Sequence, residues 1–132
     1  MTDFLQIEKD IQMLQANPDA FANPQDRLLT SAECILENWL EAHDMSPTDE
    51  KREGYRLLAL HHQGAKGNPS FNACRETCRE LIYQLNLYQR DQDVRQISLA
   101  AMVAMHLMLF IKGKMEIAEL GEFCCSSKAI RT

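Results

Sequence analysis

Residues 71–88, FNACRETCRELIYQLNLY, decide the fold class of this chain. Their apolar residues and two cysteines recur at alternating spacings of three and four positions, at Phe71, Cys74, Cys78, Leu81, Leu85 and Tyr88. This spacing places all six side chains on one face of an α-helix. Similar stripes recur along the chain, and no segment alternates apolar and polar residues for long, so the sequence predicts an all-α protein.

Prolines that follow a helix-capping residue mark where several helices should begin. Each such pair places a side-chain acceptor at N-cap and proline at the first helical position. Three such pairs, Asn23-Pro24, Ser46-Pro47 and Asn68-Pro69, mark helix starts, whereas a fourth, Asn17-Pro18, should end the first helix. With the apolar spacing they predict helices over residues 3–16, 24–44, 47–63, 69–89 and 92–112. Gly64 should end the third helix, and Gly113 should allow a bend into a sixth.

Short connections between these helices favour antiparallel neighbours. The length of 132 residues is common for one domain, and the hydrophobic and charged fractions, 45% and 25%, are ordinary for globular proteins. We therefore predict a single-domain up-and-down helical bundle of five to six helices over residues 1–132, with a frayed tail at 125–132.

The fifth helix differs from the others because Ile97 to Ile111 is apolar at nearly every position, with Ser98 and His106 as the exceptions. A helix that is apolar all round must be covered all round. It is therefore either the central helix of the bundle or a face shared with a second subunit, which would make a homodimer through residues 92–112.

The charge pattern argues against two classes of partner. The net charge is −5, and lysines and arginines are scattered among the acids, so nucleic-acid phosphates should be repelled. Asp3 stands where a secretory signal needs bases, and we expect no apolar run to reach the roughly 20 residues of a membrane span. We therefore expect a cytoplasmic protein without nucleic-acid or membrane partners, whose five cysteines are thiols.

Two thiols and two histidines should lie at one level of the bundle. His61 and His62 precede the turn that leads to Cys74 and Cys78, and chain reversal near residue 90 would bring His106 back to the same height. Two cysteines with two histidines suit tetrahedral zinc, and thiolates also suit copper(I). The competing interpretation is core packing, because free cysteine behaves as a small buried hydrophobe.

The polar face of the fourth helix carries a different signal. Tyr83 and Leu87 interrupt it one turn apart, beside Arg79 and Arg90. An aromatic and an aliphatic side chain among arginines are the residue types that anchor protein partners. This patch is therefore a candidate interaction surface.

Function follows from these two candidates. The sequence shows no nucleotide loop, no nucleophile with a base and no paired carboxylates, so it does not indicate an enzyme. We predict a non-enzymatic protein-interaction module without a cofactor, such as a small acidic regulator, adaptor or immunity-type inhibitor. The alternative is a helical bundle whose thiols and histidines bind zinc or copper, or sense redox state.

Overall fold

The computed structural model describes the backbone of residues 3–119 and the side chains of residues 3–116. This part of the chain contains five α-helices, which are α1 (Phe4–Ala16), α2 (Pro24–Ala42), α3 (Arg56–Gly67), α4 (Arg75–Asp91) and α5 (Val94–Glu119). Two short 3-10 helices, Pro18–Ala20 and Pro69–Cys74, lie in the connections. The described residues include no strand, and the prediction of an all-α helical bundle is confirmed.

The core forms where α5 packs against α1, α2 and α4, while α3 packs against α2 and α4. The buried side of α5 contains three alanines among larger residues, which lets the neighbouring helices approach closely. It consists of Ile97, Ala100, Ala101, Ala104, Leu107, Met108 and Ile111. This packing is as expected for a central apolar helix.

Within the part of the chain that the structure describes, the other side of α5 is not covered. Leu99, Met102 and Leu109 are 42%, 40% and 53% exposed, and His106 lies on the same stripe of the helix. Exposed apolar residues at this spacing are compatible with a second subunit. Self-association through α5 stays a prediction.

Helix α5 is also long and apolar enough to cross a membrane by length and composition. An 18-residue window within its segment Val94–Glu116 has a mean hydropathy of 1.7. The expectation of no membrane span stays a prediction. The core helix of a soluble protein passes the same test, and α5 packs against three other helices. A membrane partner is therefore neither supported nor excluded by this helix.

The third helix begins at Arg56, so the prediction of a helix over residues 47–63 was wrong at its start. Residues 47–54 are all polar apart from Pro47 and Gly54, and a helix there would bury no apolar face. Side chains of α3 bind this segment instead. Gln63 bonds the backbone N–H of Thr48 and the carbonyl of Ser46 at 2.9 and 2.8 Å, respectively.

Gly64 does not end α3, which continues to Gly67. A Cβ atom at position 64 would lie 2.7 Å from the ring of Phe71, closer than real contacts allow. Phe71 is fully buried in the segment that follows α3. Gly64 therefore serves close packing between a helix and an aromatic ring rather than helix termination.

The turn before α5 falls at Gln92 and Asp93. Gln92 adopts a left-handed conformation with φ of +55°, and its N–H bonds the carbonyl of Tyr88 at 2.7 Å. Beyond this turn α5 runs without interruption past Gly113 to Glu119, so the predicted bend into a sixth helix was wrong. The predicted tail at 125–132 lies outside the described residues.

Candidate functional site

The connection between α3 and α4 places an aromatic ring at the centre of the molecule. Asn68 starts the 3-10 helix, since its side chain accepts hydrogen bonds from the backbone N–H and the hydroxyl of Ser70 at 3.2 and 2.6 Å. The ring of Phe71 then inserts between Trp39 and His61, with centroid distances of 5.1 and 5.2 Å. This stack holds the 3-10 helix that precedes α4 against α2 and α3.

A buried group, which we call the thiol–histidine cluster, surrounds the carbonyl oxygen of Phe71. It comprises His61, Phe71, Cys74 and Cys78, and both cysteines are almost completely buried. The Phe71 carbonyl lies 3.0 Å from Nε2 of His61, which donates to it, and it also accepts from the Cys74 thiol at 3.1 Å. Cys78, one helical turn later, hydrogen-bonds Cys74.

The two thiols of the cluster differ in acidity. The hydrogen bond from Cys78 lowers the pKa of Cys74 to about 6, although burial opposes this, and His61 lowers it further. The pKa of Cys78 is raised well above its usual value, first by the hydrogen bond to Cys74 and then by burial. The pair therefore behaves as one unit that gives up a first proton readily and a second with difficulty.

The structure does not bring the five predicted metal ligands together. His61, Cys74 and Cys78 are neighbours, whereas His62 and His106 are exposed on α3 and α5. Among the described residues no group of three or more His, Cys, Asp or Glu side chains is arranged to hold a metal ion. Zinc or copper binding stays a prediction that rests on the two thiols and His61.

On the outer side of α3, two adjoining cavities form what we call the α3–α4 groove. Their volumes are about 250 and 310 Å³, and they share Glu53, Leu58 and Arg79. The first cavity, the basic end, is also lined by Arg52, His61, His62, Ala65, Asn72 and Arg75. The second, the tyrosine end, is also lined by Tyr55, Ile82, Tyr83 and Asn86.

An ion pair separates the two ends of the groove. Arg79 of α4 binds the Glu53 carboxylate through both of its terminal nitrogens, at 3.0 and 3.1 Å. Glu53 and Gly54 form a two-residue turn in which both have positive φ, +54° and +86°. Paired hydrogen bonds between Arg52 and Tyr55 close this turn. The turn thereby holds the Glu53 carboxylate in front of Arg79.

Positive charge dominates the basic end. The pKa of Glu53 is lowered chiefly by its hydrogen bond to Arg79, and the charges of Arg52 and Arg75 lower it further. The pKa of His62 is also lowered, first by loss of hydration and then by the charges of Arg52 and Lys66. In both cases neighbouring cations add to the leading cause, so several positive charges surround this end of the groove in an acidic protein.

The tyrosine end combines an exposed aromatic ring with a buried apolar floor. Tyr83 is 57% exposed, whereas Ile82 and Leu58 are buried beneath the cavity. The hydroxyl of Tyr55 donates to the side-chain oxygen of Asn86 at 2.7 Å, which fixes one wall. An apolar side chain of a ligand would find a contact surface here.

Two of the four predicted interaction residues line the groove, namely Arg79 and Tyr83. Leu87 is half-buried, and Arg90 pairs with its neighbour Asp91 at 2.8 Å; neither lines the groove. Sequence reasoning missed the basic residues of the turn because it assigned that segment to a helix. The available signal was the polar run 47–54 ending in glycine, which is typical of a turn.

A larger cavity lies elsewhere, at the connection between α1 and α2. It measures about 550 Å³, and its lining includes Asp10, Asp26 and Arg27, the last stacked over the ring of Phe21 at 4.5 Å. Its acidic and basic side chains balance more evenly than those of the α3–α4 groove, and no thiol or histidine lines it. We therefore consider the groove and the thiol–histidine cluster to be the candidate sites.

These two candidate sites adjoin at His61, which lines the basic end of the open groove and bonds Phe71 within the buried cluster. Protein-family models, curated proteins and solved structures show no match to this chain.

Proposed function

We propose that this protein is a non-enzymatic interaction module that binds a protein partner through the α3–α4 groove. The observation that carries the proposal is the position of Tyr83, an exposed aromatic residue beside Arg79 at an open groove between two helices. Tyrosine and arginine are the residue types that contribute most to binding at protein interfaces. A regulator, adaptor or immunity-type inhibitor would work in this way.

The chemistry of the groove favours binding over catalysis. Arginine keeps its charge at any ordinary pH and presents a rigid set of donors, which suits recognition. The carboxylate of Glu53 is engaged by Arg79, so it is not poised to act as a base. The groove therefore offers donors, charge and apolar surface for a ligand to contact.

Peptide selection tests this proposal while the identity of the partner is still open. Peptides from a displayed random library are selected on the full-length chain, and their affinities are then measured for the wild type and for Tyr83→Ala. We expect Tyr83→Ala to weaken binding about tenfold or more, as for an interface anchor. Met13→Ala is the matched control, because Met13 is similarly exposed, 54%, but lies on α1.

Two results would contradict the proposal. One is a set of selected peptides that bind Tyr83→Ala as tightly as the wild type. The other is hydrogen-exchange protection by the peptide that maps to α1 or α5 rather than to the facing sides of α3 and α4.

We propose as a second candidate that the thiol–histidine cluster responds to oxidants or binds zinc or copper. The supporting observation is the hydrogen-bonded pair of thiols, one with a pKa of about 6. With a peroxide as oxidant, the Cys74 thiolate would attack one oxygen and form a sulfenic acid. The Cys78 thiol would then displace water and form a disulfide, so two thiols reduce one peroxide.

Both cysteines are buried, so this reaction requires local opening of the segment around residues 69–74. The test is to count thiols and measure mass after limited treatment with hydrogen peroxide. Loss of two thiols in the wild type but not in Cys78→Ala, with Cys34→Ala behaving as wild type, would support a redox role. Unchanged thiols would exclude it. Zinc and copper analysis of chelator-free protein tests metal binding on the same sample.

A further inference from the structure

We infer that the basic end of the α3–α4 groove binds a carboxylate of the partner, so that the recognised segment is an acidic peptide with an adjacent apolar side chain. This inference rests on the proposed function and names the chemistry of the partner. In it, an aspartate or glutamate lies between Arg52 and Arg75, while the apolar side chain packs on Tyr83.

The charges that line the basic end are not balanced within the groove. Three arginines line it, and the single carboxylate among the lining residues is Glu53, which pairs with Arg79. In the part of the chain that the structure describes, Arg52 and Arg75 form no ion pair, and both are exposed. Concentrated positive charge in a concave site of an acidic protein attracts negatively charged ligands.

The bound Glu53 carboxylate shows what this end of the groove accepts. It makes a two-point contact with Arg79, the geometry that planar carboxylates prefer. Glu53 holds this position with a φ of +54°, which non-glycine residues seldom adopt. An uncommon backbone conformation at the ion pair between the two ends of the groove points to a functional arrangement. Arg52 and Arg75 can then bind a second carboxylate, which comes from the partner.

The dimensions of the groove favour side chains over a cofactor or a nucleic acid. Cavities of about 250 and 310 Å³ lie at or below the lower limit of sites for drug-sized ligands, roughly 300 to 1,000 Å³. Each holds one side chain of a peptide. A nucleic acid needs a basic surface that follows many phosphates, which a net charge of −5 opposes.

The experiment uses peptides selected on the full-length chain together with versions in which each Asp or Glu becomes Asn or Gln. We expect the selected peptides to be enriched in acidic residues next to aromatic or aliphatic ones. We also expect the amide versions to bind at least about tenfold more weakly, as for the loss of a charge-assisted hydrogen bond. Added salt should weaken the acidic peptides and leave the amide versions unchanged.

Substitutions in the groove test where the acidic peptides bind. Arg75→Gln should weaken the acidic peptides about tenfold, whereas Arg90→Gln, on the same helix but outside the groove, should leave them unchanged. Glu53→Gln should strengthen them several-fold, because it removes the carboxylate that competes for Arg79. Wild-type melting temperatures for all three variants confirm that folding is intact.

Several outcomes would overturn the inference. They are equal binding of acidic and amide peptides, equal losses in Arg75→Gln and Arg90→Gln, binding of phosphoserine peptides alone, and tighter binding of a single-stranded RNA oligomer than of the acidic peptides. If peptides bind in a Tyr83-dependent manner without needing an acid, the inference fails and the proposed function stands. If no peptide depends on Tyr83, the proposed function fails as well.

Discussion

His61 and His62 are consecutive residues of α3 and both line the basic end of the α3–α4 groove, yet only His61 is buried and extends into the thiol–histidine cluster. His61 stacks on Phe71 and bonds its carbonyl oxygen inside the thiol–histidine cluster. His62 lies at the basic end of the α3–α4 groove, exposed and close to Arg52 and Lys66. One helix thus joins a packed interior, where polar groups bond one another, to a surface where like charges gather.

The buried cluster and the groove should contribute differently to folding and to binding. The buried cluster joins α3 to α4 through aromatic stacking and hydrogen bonds, so changes there should alter stability. The groove contains exposed charges that contribute little to folding and remain available to a ligand. Variants in the cluster and in the groove should therefore separate folding from binding.

The strongest test breaks the packing on the buried side. Gly64→Ala would place a methyl group 2.7 Å from the Phe71 ring, which is fully buried between Trp39 and His61 and has no room to move. We expect a loss of about 1–3 kcal/mol in the free energy of unfolding, measured by urea denaturation. Gly67→Ala is the control, because a Cβ there meets nothing within 4 Å, and it should be neutral or slightly stabilising.

A second test compares two ion pairs on either side of α3. Arg56 is half-buried and binds Glu37 at 2.6 Å and Glu33 at 3.3 Å, whereas Arg79 and its partner Glu53 are more exposed. Arg56→Gln should cost about 1–2 kcal/mol of stability, because it leaves carboxylates without their charged donor. Arg79→Gln should leave the denaturation midpoint nearly unchanged. Equal losses would show that the groove, too, is structural.

A third test follows stability with pH. The pKa of Cys74 is about 6, below its usual value of 9.0, while that of Cys78 is raised. Wild-type stability should therefore rise between about pH 6 and pH 9 as the folded pair loses one proton, and fall above pH 9 as the unfolded thiols ionise. Denaturation of Cys74→Ala with Cys78→Ala across this range should lack the rise and show a shallower fall, which remains because burial and nearby carboxylates also raise the pKa of Cys34. An identical pH profile in the double variant would contradict the loss of one proton from the folded Cys74–Cys78 pair near pH 6.

The smallest effect concerns the groove and is measured on His62 itself. Its pKa should lie below the usual 6.5, because hydration is reduced and Arg52, Lys66 and His61 disfavour its charge. NMR titration of the wild type and Arg52→Gln should show a higher His62 pKa in the variant. Since the folded state disfavours protonation, His62 lowers stability only below about pH 6.5. No change in the variant would argue against a positive basic end.

The apolar patterns led to the correct helices, and the errors have particular causes. Ser46-Pro47 carries a good helix-start signal, but no apolar face follows it, and Gln63 supplies the hydrogen bonds that a helix would have made. Gly64 resembles a helix end but is needed for contact with Phe71. Both errors arise where a contact distant in sequence outweighs a local preference.

The sequence predicted only some residues of the candidate sites, because two residues meet only if they share both a level along the bundle and a side of their helices. Cys74, Cys78 and His61 share both a height in the bundle and the buried side of their helices. His106 was grouped with them only because it should lie at the same level of the bundle. Its angular position around the α5 axis puts it on the exposed stripe with Leu99 and Met102. Tyr83 was found because it interrupts the polar face of a helix, and Arg79 because it lies beside Tyr83 on that face, whereas Arg52 lies in a turn with no periodicity to interrupt.

The sequence by itself determined the helical class, most of the helices and the face that each one buries, because these depend on the spacing of apolar residues along a helix. Only the tertiary structure decided the start of α3, the pairing of Glu53 with Arg79 and the different burial of His61 and His62. Those features depend on how helices are rotated and which side chains meet across them. Local spacing does not encode such contacts, because they form between residues far apart in the chain.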